Sequence, residues 1–174
     1  LHLGHAHAAL VAWHAARDAG GRFILRIEDI NTTRCPPAFT DAILEDLAWL
    51  GLDWDGEVRC QSLHFPEYRA TLGRLAARGL LYPCFCTRAD IARHLTAPHG
   101  PEGPLYPGTC RALSQDERAA RIAAGQPHAW RLDMARAAVS GLSYHEKNQG
   151  MIQCDPARFG DVVLARKDIP ASYH

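Results

Sequence analysis

Apolar and polar positions alternate with three different periods along the chain, and the changes of period divide it into elements. From residue 4 to 19, Leu10, Val11 and Trp13 recur among alanines at helical spacing, and Gly20-Gly21 stops the pattern. "RFILRIED" follows with Phe23, Leu25 and Ile27 on one side, which predicts a mostly buried strand tipped by two acids, Glu28 and Asp29. The turn "NTTRCPP" leads into a second helix over "PAFTDAILEDLAWLG". Helix, strand and helix at this spacing form an α/β unit built on a parallel sheet. "GLDWDGEVRCQS" reads as a loop and a short strand, and residues 66–79 as a helix ended by Gly79.

The second half is more broken. "LYPCFC" predicts a short strand, followed by a helix with Thr87 as its cap and Asp90 three residues on. Residues 97–109 are rich in Pro and Gly and predict a loop. "SQDERAARIAAG" has the Ser114–Glu117 capping box and Gly125 as its stop. "PHAWRLDM" and "GDVVLARKD" read as strands, and the polar stretch between them shows no clear pattern. There are no repeats or low-complexity linkers.

Composition narrows the class. The 174 residues are 47% hydrophobic and 22% charged with zero formal net charge, which fits a globular chain and not a strongly basic nucleic-acid coat. No apolar run approaches the ~20 residues of a membrane helix, and no signal peptide is visible, so no membrane role and a cytoplasmic location are expected. Six cysteines in a chain this long read as cytosolic thiols, some of them on a metal, rather than as a disulfide framework.

Cys84-x-Cys86 followed by Tyr106-x-x-x-Cys110 is the most specific chemical pattern. Three thiolates supply three corners of a tetrahedral zinc site. On chemistry alone the fourth corner stays open between Tyr106 and the orthodox ligands His94 and His99. Such a site would be structural. At the start, "LHLGHA" brings His2, Gly4 and His5 to the first turn of a helix, where N–H groups attract phosphate and imidazoles donate hydrogen bonds. Read alone, these residues also fit two surface histidines on a frayed end, or part of a tag. Glu28 stands at a strand end where α/β folds bind ligands; read alone it also fits a solvated charge.

"LHLGHA", "LRIED" with Arg34, "ILEDLAWLGLDWD", "GLLYPCFCTR", "YPGTCR" and "GDVVLARKD" occur in that order. In that arrangement the chain resembles the catalytic domain of class I glutamyl-tRNA synthetases and, more closely, their short paralogues, the glutamyl-Q tRNA(Asp) synthetases. The resemblance is weakest from about 135 to 155. It implies a Rossmann-type nucleotide-binding class I synthetase domain with a zinc-bearing insertion. Residues 1–80 would be its first part, 81–155 the insertion and 156–174 the return to the catalytic domain. The implied activity is activation of glutamate by ATP, with Mg²⁺, to glutamyl-adenylate, and transfer to queuosine in the anticodon of tRNA-Asp by a monomer. His2, Gly4 and His5 match the HIGH-type ATP signature. Glu28 matches the acid that holds the amino group of glutamate, and Tyr173 the tyrosine lining the glutamate pocket. Cys84, Cys86, Tyr106 and Cys110 match the zinc ligands, the tyrosine included.

The departures are definite. The family carries an Arg- and Ser-containing stretch before the HIGH-type signature, and an arginine and a KMSKS-type loop after the pocket tyrosine. The chain starts at Leu1 and stops at His174, so it is expected to be incomplete at both ends and inactive alone in forming glutamyl-adenylate. Asn31 stands where an Asp is common. Two alternatives remain: an ordinary glutamyl-tRNA synthetase fragment charging tRNA-Glu, and a non-catalytic, zinc-stabilised RNA-binding module.

Overall fold

The computed structural model describes residues 1–93, 99–100, 103–139 and 141–173, with the side chains of 93, 99–100 and 103–104 left aside. The chain separates into two units, Leu1–Phe65 and Pro66–His174.

In the first unit, helix α1 (Leu3–Asp18) is followed by strand β1 (Arg26–Ile27), helix α2 (Pro37–Trp49) and strand β2 (Arg59–Cys60). β1 and β2 pair in parallel, Arg26 opposite Arg59 and Ile27 opposite Cys60, with α2 as the crossover. This is the expected α/β unit in its smallest form. α2 starts on Pro36-Pro37, whose fixed φ suits the first turn. It turns Ile43, Leu44 and Leu47 inward at helical spacing, and Leu47 is buried.

The strand predicted over "RFILRIED" is shorter than its pattern. Phe23, Ile27 and Ile30 are buried, but Ile24 is 63% exposed. The carbonyls of Phe23 and Leu25 still accept the N–H groups of Asp55 (2.8 Å) and Arg59 (3.1 Å). Between those two contacts the partner segment makes a turn at Asp55–Gly56, so only one register step forms a regular ladder.

The second unit begins in helix α3 (Phe65–Ala77) and is organised by strands β3 (Leu81–Cys84), β6 (Ala129–Leu132) and β9 (Val163–Ala165). They form an antiparallel sheet in the order β3-β6-β9. β3 is buried along its whole length. Between β3 and β6 lie helix α4 (Arg88–Arg93), the short pair β4 (His99–Gly100) and β5 (Gly103–Pro104), and helix α5 (Gln115–Ala123). Thr87 caps α4 through reciprocal bonds with Asp90, and Ser114 caps α5 through Glu117, as the sequence predicts.

After helix α6 (Met134–Ala137), the stretch that shows no pattern in the sequence is a hairpin, β7 (Ser143–Glu146) paired with β8 (Gly150–Gln153). Its turn is held by the Glu146 carboxylate, which accepts the N–H groups of Asn148 and Gln149, both at 2.6 Å. Most of its side chains face solvent, so it lacks the buried face that makes a strand visible in sequence. No helix among the described residues is long and apolar enough to cross a membrane.

Candidate metal centre and ligand-binding residues

The core of the second unit is a cysteine cluster. Tyr82, Cys84, Phe85 and Cys110 are buried together, with Cys86, Tyr106 and Leu113 packed against them. β3 delivers Cys84 and the bend after it delivers Cys86. The Pro107-Gly108 turn delivers Cys110, with the N–H groups of Arg111 and Ala112 closing onto the Gly108 carbonyl at 2.8 and 3.1 Å. Gly108 has φ +81°, and a Cβ there would lie 3.0 Å from Arg111 Nη2, so only glycine makes this turn without strain.

The three Sγ atoms lie within 4.8 Å of one another. Cys86 Sγ is 3.5 Å from Cys110 Sγ, and the Tyr106 hydroxyl is 3.4 Å from Cys84 Sγ and 3.5 Å from Cys86 Sγ. A tetrahedral zinc with Zn–S near ~2.3 Å and Zn–O near ~2.0 Å requires about 3.8 Å between sulfurs and about 3.5 Å between sulfur and oxygen. Three donor–donor distances therefore lie within about 0.3 Å of the edges of a zinc tetrahedron, and every cysteine is free of disulfides. These residues fit the metal.

Backbone groups fix the donors. The Phe85 N–H donates to Cys110 Sγ at 3.3 Å and the Cys110 N–H donates to the Tyr106 hydroxyl at 2.9 Å. Burial pushes the Cys86 thiol up to about 11 and raises the Tyr106 phenol well above its ordinary range. Burial also acts upward on Cys110, but bonds from Tyr106, Phe85 and Cys86 outweigh it and leave that thiol lowered. Without metal, Cys86 keeps its proton at neutral pH, so metal capture must release it. His94 and the side chain of His99, the orthodox alternatives, lie outside the described residues.

One buried acid escaped sequence reasoning. Asp161, 4% exposed, accepts the Tyr82 hydroxyl at 2.5 Å, Arg111 Nη1 at 3.0 Å and the Met134 N–H at 3.0 Å. Arg111 follows Cys110 directly, so Asp161 ties the cysteine loop to β3 and to the entry of β9. Nothing in "GDVVL" marks that aspartate as buried.

In the first unit, the structure brings His2, Gly4 and His5 together at the N-terminus of α1. His2 is the cap. Its Nδ1 accepts the Gly4 N–H at 3.1 Å, and His5 Nδ1 accepts the His2 N–H at 3.3 Å. The imidazole rings lie 3.7 Å apart. Because both Nδ1 atoms accept, the neutral rings carry their protons on Nε2, leaving two N–H donors on an exposed helix start. A Cβ on Gly4 would stand 3.0 Å from His2 Cε1, so the glycine makes room for the capping ring.

Glu28 follows β1 directly, is exposed, and pairs with Arg26 at 2.6 Å. Its neighbour Asp29 is committed to structure, accepting the Ser62 N–H at 2.8 Å and the Ser62 hydroxyl at 2.5 Å. Asn31 Oδ1 accepts the Thr33 hydroxyl at 2.8 Å, a bond that an aspartate would make equally well. Tyr173 lies in the second unit, 46% exposed, beside a cleft of about 670 Å³ lined by Arg88, Arg131, Arg166 and Lys167 among others.

Comparison with known proteins gives the family. Residues 1–174 match the family described as tRNA synthetases class I (E and Q), catalytic domain. The chain is 44% identical over 178 residues to a glutamyl-Q tRNA(Asp) synthetase of Symbiobacterium thermophilum, covering 97% of this chain and 54% of that protein. It is 42% identical over 186 residues to the protein of that name from Rhodobacter capsulatus, covering 100% and 66%. With the Nocardia farcinica protein of that name it shares 46% over 173 residues, covering 98% and 52%. The chain thus spans about half to two thirds of the length of these curated relatives. Among solved structures, a glutamate tRNA ligase from Elizabethkingia meningosepticum superposes with a TM-score of 0.79 at 23% identity, over 99% of this chain and 37% of that one. That likeness shows the fold. The α/β unit, the antiparallel sheet with its cysteine core and the match over all 174 residues agree: the chain belongs to the class I tRNA synthetases (E and Q), as a catalytic domain.

Proposed function

We propose that this domain serves the activation of glutamate with ATP and its transfer to queuosine in the anticodon of tRNA-Asp, in the cytoplasm, within a protein as long as its curated relatives. The observation that carries this reading is the 42–46% identity, over nearly the whole chain, to three relatives named glutamyl-Q tRNA(Asp) synthetase. In the reaction, a carboxylate oxygen of glutamate attacks the α-phosphorus of ATP in line. The bond to the bridging oxygen breaks, pyrophosphate leaves with its Mg²⁺, and glutamyl-adenylate remains. Transfer to queuosine then releases AMP. The protein contributes positioning and charge stabilisation rather than a covalent nucleophile.

His2 and His5 donate from Nε2 to ATP phosphates, and Gly4 leaves the close approach open. Glu28 holds the ammonium group of glutamate and Tyr173 lines its pocket. Cys84, Cys86, Cys110 and Tyr106 hold zinc, which supplies a structural cross-link within residues 81–155 and takes no part in the chemistry. Residues 1–80 and 156–174 supply the catalytic portion on either side.

ATP–pyrophosphate exchange dependent on glutamate tests the first half-reaction in a protein of the relatives' length, and the 174 residues alone are expected to give none. Labelled glutamate offered with tRNA-Asp, with and without queuosine, tests the second. Label on the modified tRNA alone is expected. Label on the 3′ end of tRNA-Glu would overturn the reading in favour of ordinary aminoacylation. Metal analysis is expected to give one zinc per chain.

A further inference from the structure

We propose that Arg131 is the positioning residue of the metal centre's fourth corner: stacked on the Tyr106 ring, it holds the phenol oxygen against the three sulfurs and offsets the negative charge that four anionic ligands bring. The inference rests on the zinc reading above.

The strand register places the side chain. Arg131 on β6 stands opposite Tyr82 on β3, and Cys84 lies two residues beyond Tyr82. Opposed residues of an antiparallel pair, and residues two apart on one strand, share a face. Arg131, Tyr82 and Cys84 therefore project from the same side of the sheet. From there the guanidinium carbon of Arg131 reaches 3.9 Å from the centroid of the Tyr106 ring, well inside cation–π range.

Its hold is directional. Arg131 Nη1 donates to the Asp161 carbonyl at 2.6 Å, which pins one end of the planar fork. Arg131 Nε is buried and has no hydrogen-bond partner among the described residues. With Nη1 committed to the Asp161 carbonyl and Nε shielded from solvent, the guanidinium presents its face to the ring it lies against. What lies there is the tyrosine of the donor set. The Tyr106 oxygen is meanwhile aimed by the Cys110 N–H, so the ring is gripped at its face and its hydroxyl at its tip.

The charge balance calls for such a partner. Zinc with three thiolates and a phenolate carries a net charge of about −2, which a buried core does not tolerate uncompensated. Several cations reach the cluster, Arg118 over the Tyr82 ring and Arg121 over the Phe85 ring among them, but the two nearest the donors are Arg131 on Tyr106 and Lys167, whose Nζ donates at 3.0 Å to the Phe85 carbonyl between Cys84 and Cys86. Lys167 serves the thiolate side and Arg131 the tyrosine side. Outer-shell partners of this kind orient ligands and set metal affinity.

The test is zinc affinity, measured by competition with a chromophoric chelator, in wild type, Arg131→Met, Arg131→Lys, Tyr106→Phe and the double variant Arg131→Met/Tyr106→Phe. Methionine keeps an unbranched stem that stacks on the ring but carries no charge. Arg131→Met is expected to weaken zinc binding by about 10- to 100-fold. Arg131→Lys is expected to recover most of that loss. In the Tyr106→Phe background, Arg131→Met should change affinity by less than about threefold, because the group it serves is gone. Zinc-loaded wild type should show the red-shifted near-ultraviolet band of a tyrosinate, and circular dichroism of the metal-free variants should match wild type.

Equal losses with and without Tyr106, unchanged affinity in Arg131→Met, or a zinc-loaded wild type without tyrosinate each overturn the proposal. If Arg131→Met does not fold, the uncharged Arg131→Gln takes its place: a weakened site that Arg131→Lys restores upholds the proposal, and an unchanged affinity in Arg131→Gln overturns it. A wild type that binds no zinc overturns the zinc reading and this inference together. A wild type that binds zinc while Arg131→Met binds it equally well overturns only the inference.

Discussion

The two units handle polar chemistry in opposite ways. In the first, His2, His5 and Glu28 are exposed, the histidines held in a helix cap and Glu28 paired with Arg26. In the second, Cys84, Cys110 and Asp161 are buried and form the core itself. On the proposed function, the difference follows from what each set would have to meet. Groups that bind a passing substrate have to stay open to water and be aimed without being enclosed. Groups that bind a resident metal gain from enclosure, since the ion satisfies them permanently. Substitutions in the second unit should therefore act on folding, and those in the first on ligand binding at nearly constant stability.

The largest effect is expected from Cys110→Ser or from chelation. Either removes a corner of the cluster around which the second unit packs, and structural zinc is worth on the order of 10 kcal/mol to such folds. Hydrogen exchange should accelerate across Pro66–His174 and stay slow in α1 and α2. Uniform acceleration in both units would break the comparison. Next comes Asp161→Ala, which leaves every metal donor in place but strands Arg111 and the buried Tyr82 hydroxyl. Breaking a buried pair costs about 3–5 kcal/mol, and Arg111 is 43% exposed and rehydrates, so the lower end applies. Denaturant unfolding of zinc-loaded protein measures it, and a change under 1 kcal/mol would sink the argument that Asp161 locks the cysteine loop.

These contrasts also explain what was legible in the sequence. Cys84-x-Cys86 and Cys110 could be read because metal ligands must be particular residue types at short spacing. Helix ends could be read because Ser114–Glu117 and Thr87–Asp90 are local reciprocal bonds. Asp161 could not, because its partners Tyr82, Arg111 and Met134 come from remote parts of the chain and an exposed aspartate looks the same. The β7–β8 hairpin could not, because with both faces largely solvated it has no period-2 apolar signal, and only "NQG" marks its turn. "RFILRIED" was over-read for the converse reason: its apolar positions continue past the ladder, and Ile24 faces solvent. For His2 the motif was visible, but its capping was not, since histidine is not among the favoured N-cap residues.

Gly4→Ala sharpens the comparison from the other side. The new methyl would stand 3.0 Å from His2 Cε1 and 3.2 Å from Nδ1, so the ring must shift by a few tenths of an ångström and its cap is weakened. Losing the whole cap would cost about 1 kcal/mol, and replacing glycine by alanine in a helix returns nearly as much. Net stability should stay within about 0.5 kcal/mol of wild type. The displaced Nε2 donor, however, should lower glutamate-dependent ATP–pyrophosphate exchange in a protein of the relatives' length at least about tenfold. Normal exchange with a displaced ring would remove His2 from the phosphate site.

The smallest effect is an acid response confined to the first unit. Arg17 pairs with Asp55 at 2.7 Å and with Asp53 at 3.0 Å, and Asp53 also accepts the Trp13 indole N–H at 2.8 Å. The Arg17 guanidinium and the Phe23 N–H hold the Asp55 carboxyl below its ordinary value, while the Trp13 bond and then Arg17 lower Asp53. Lowered folded values mean that both ties are fully present above the unfolded pKa of about 3.9 and are lost as pH falls through the folded ones. These are solvated pairs, so the change should be local rather than global. The Trp13 indole N–H resonance reports it: constant from neutral pH down to about pH 4, then moving toward its water-exposed position. In Asp53→Asn the asparagine oxygen still accepts the indole but no longer titrates, so the movement should shrink. An unchanged acid shift there would place its cause outside this pair. On the zinc reading the second unit should give no such graded response, because protons would reach its thiols only by displacing the metal.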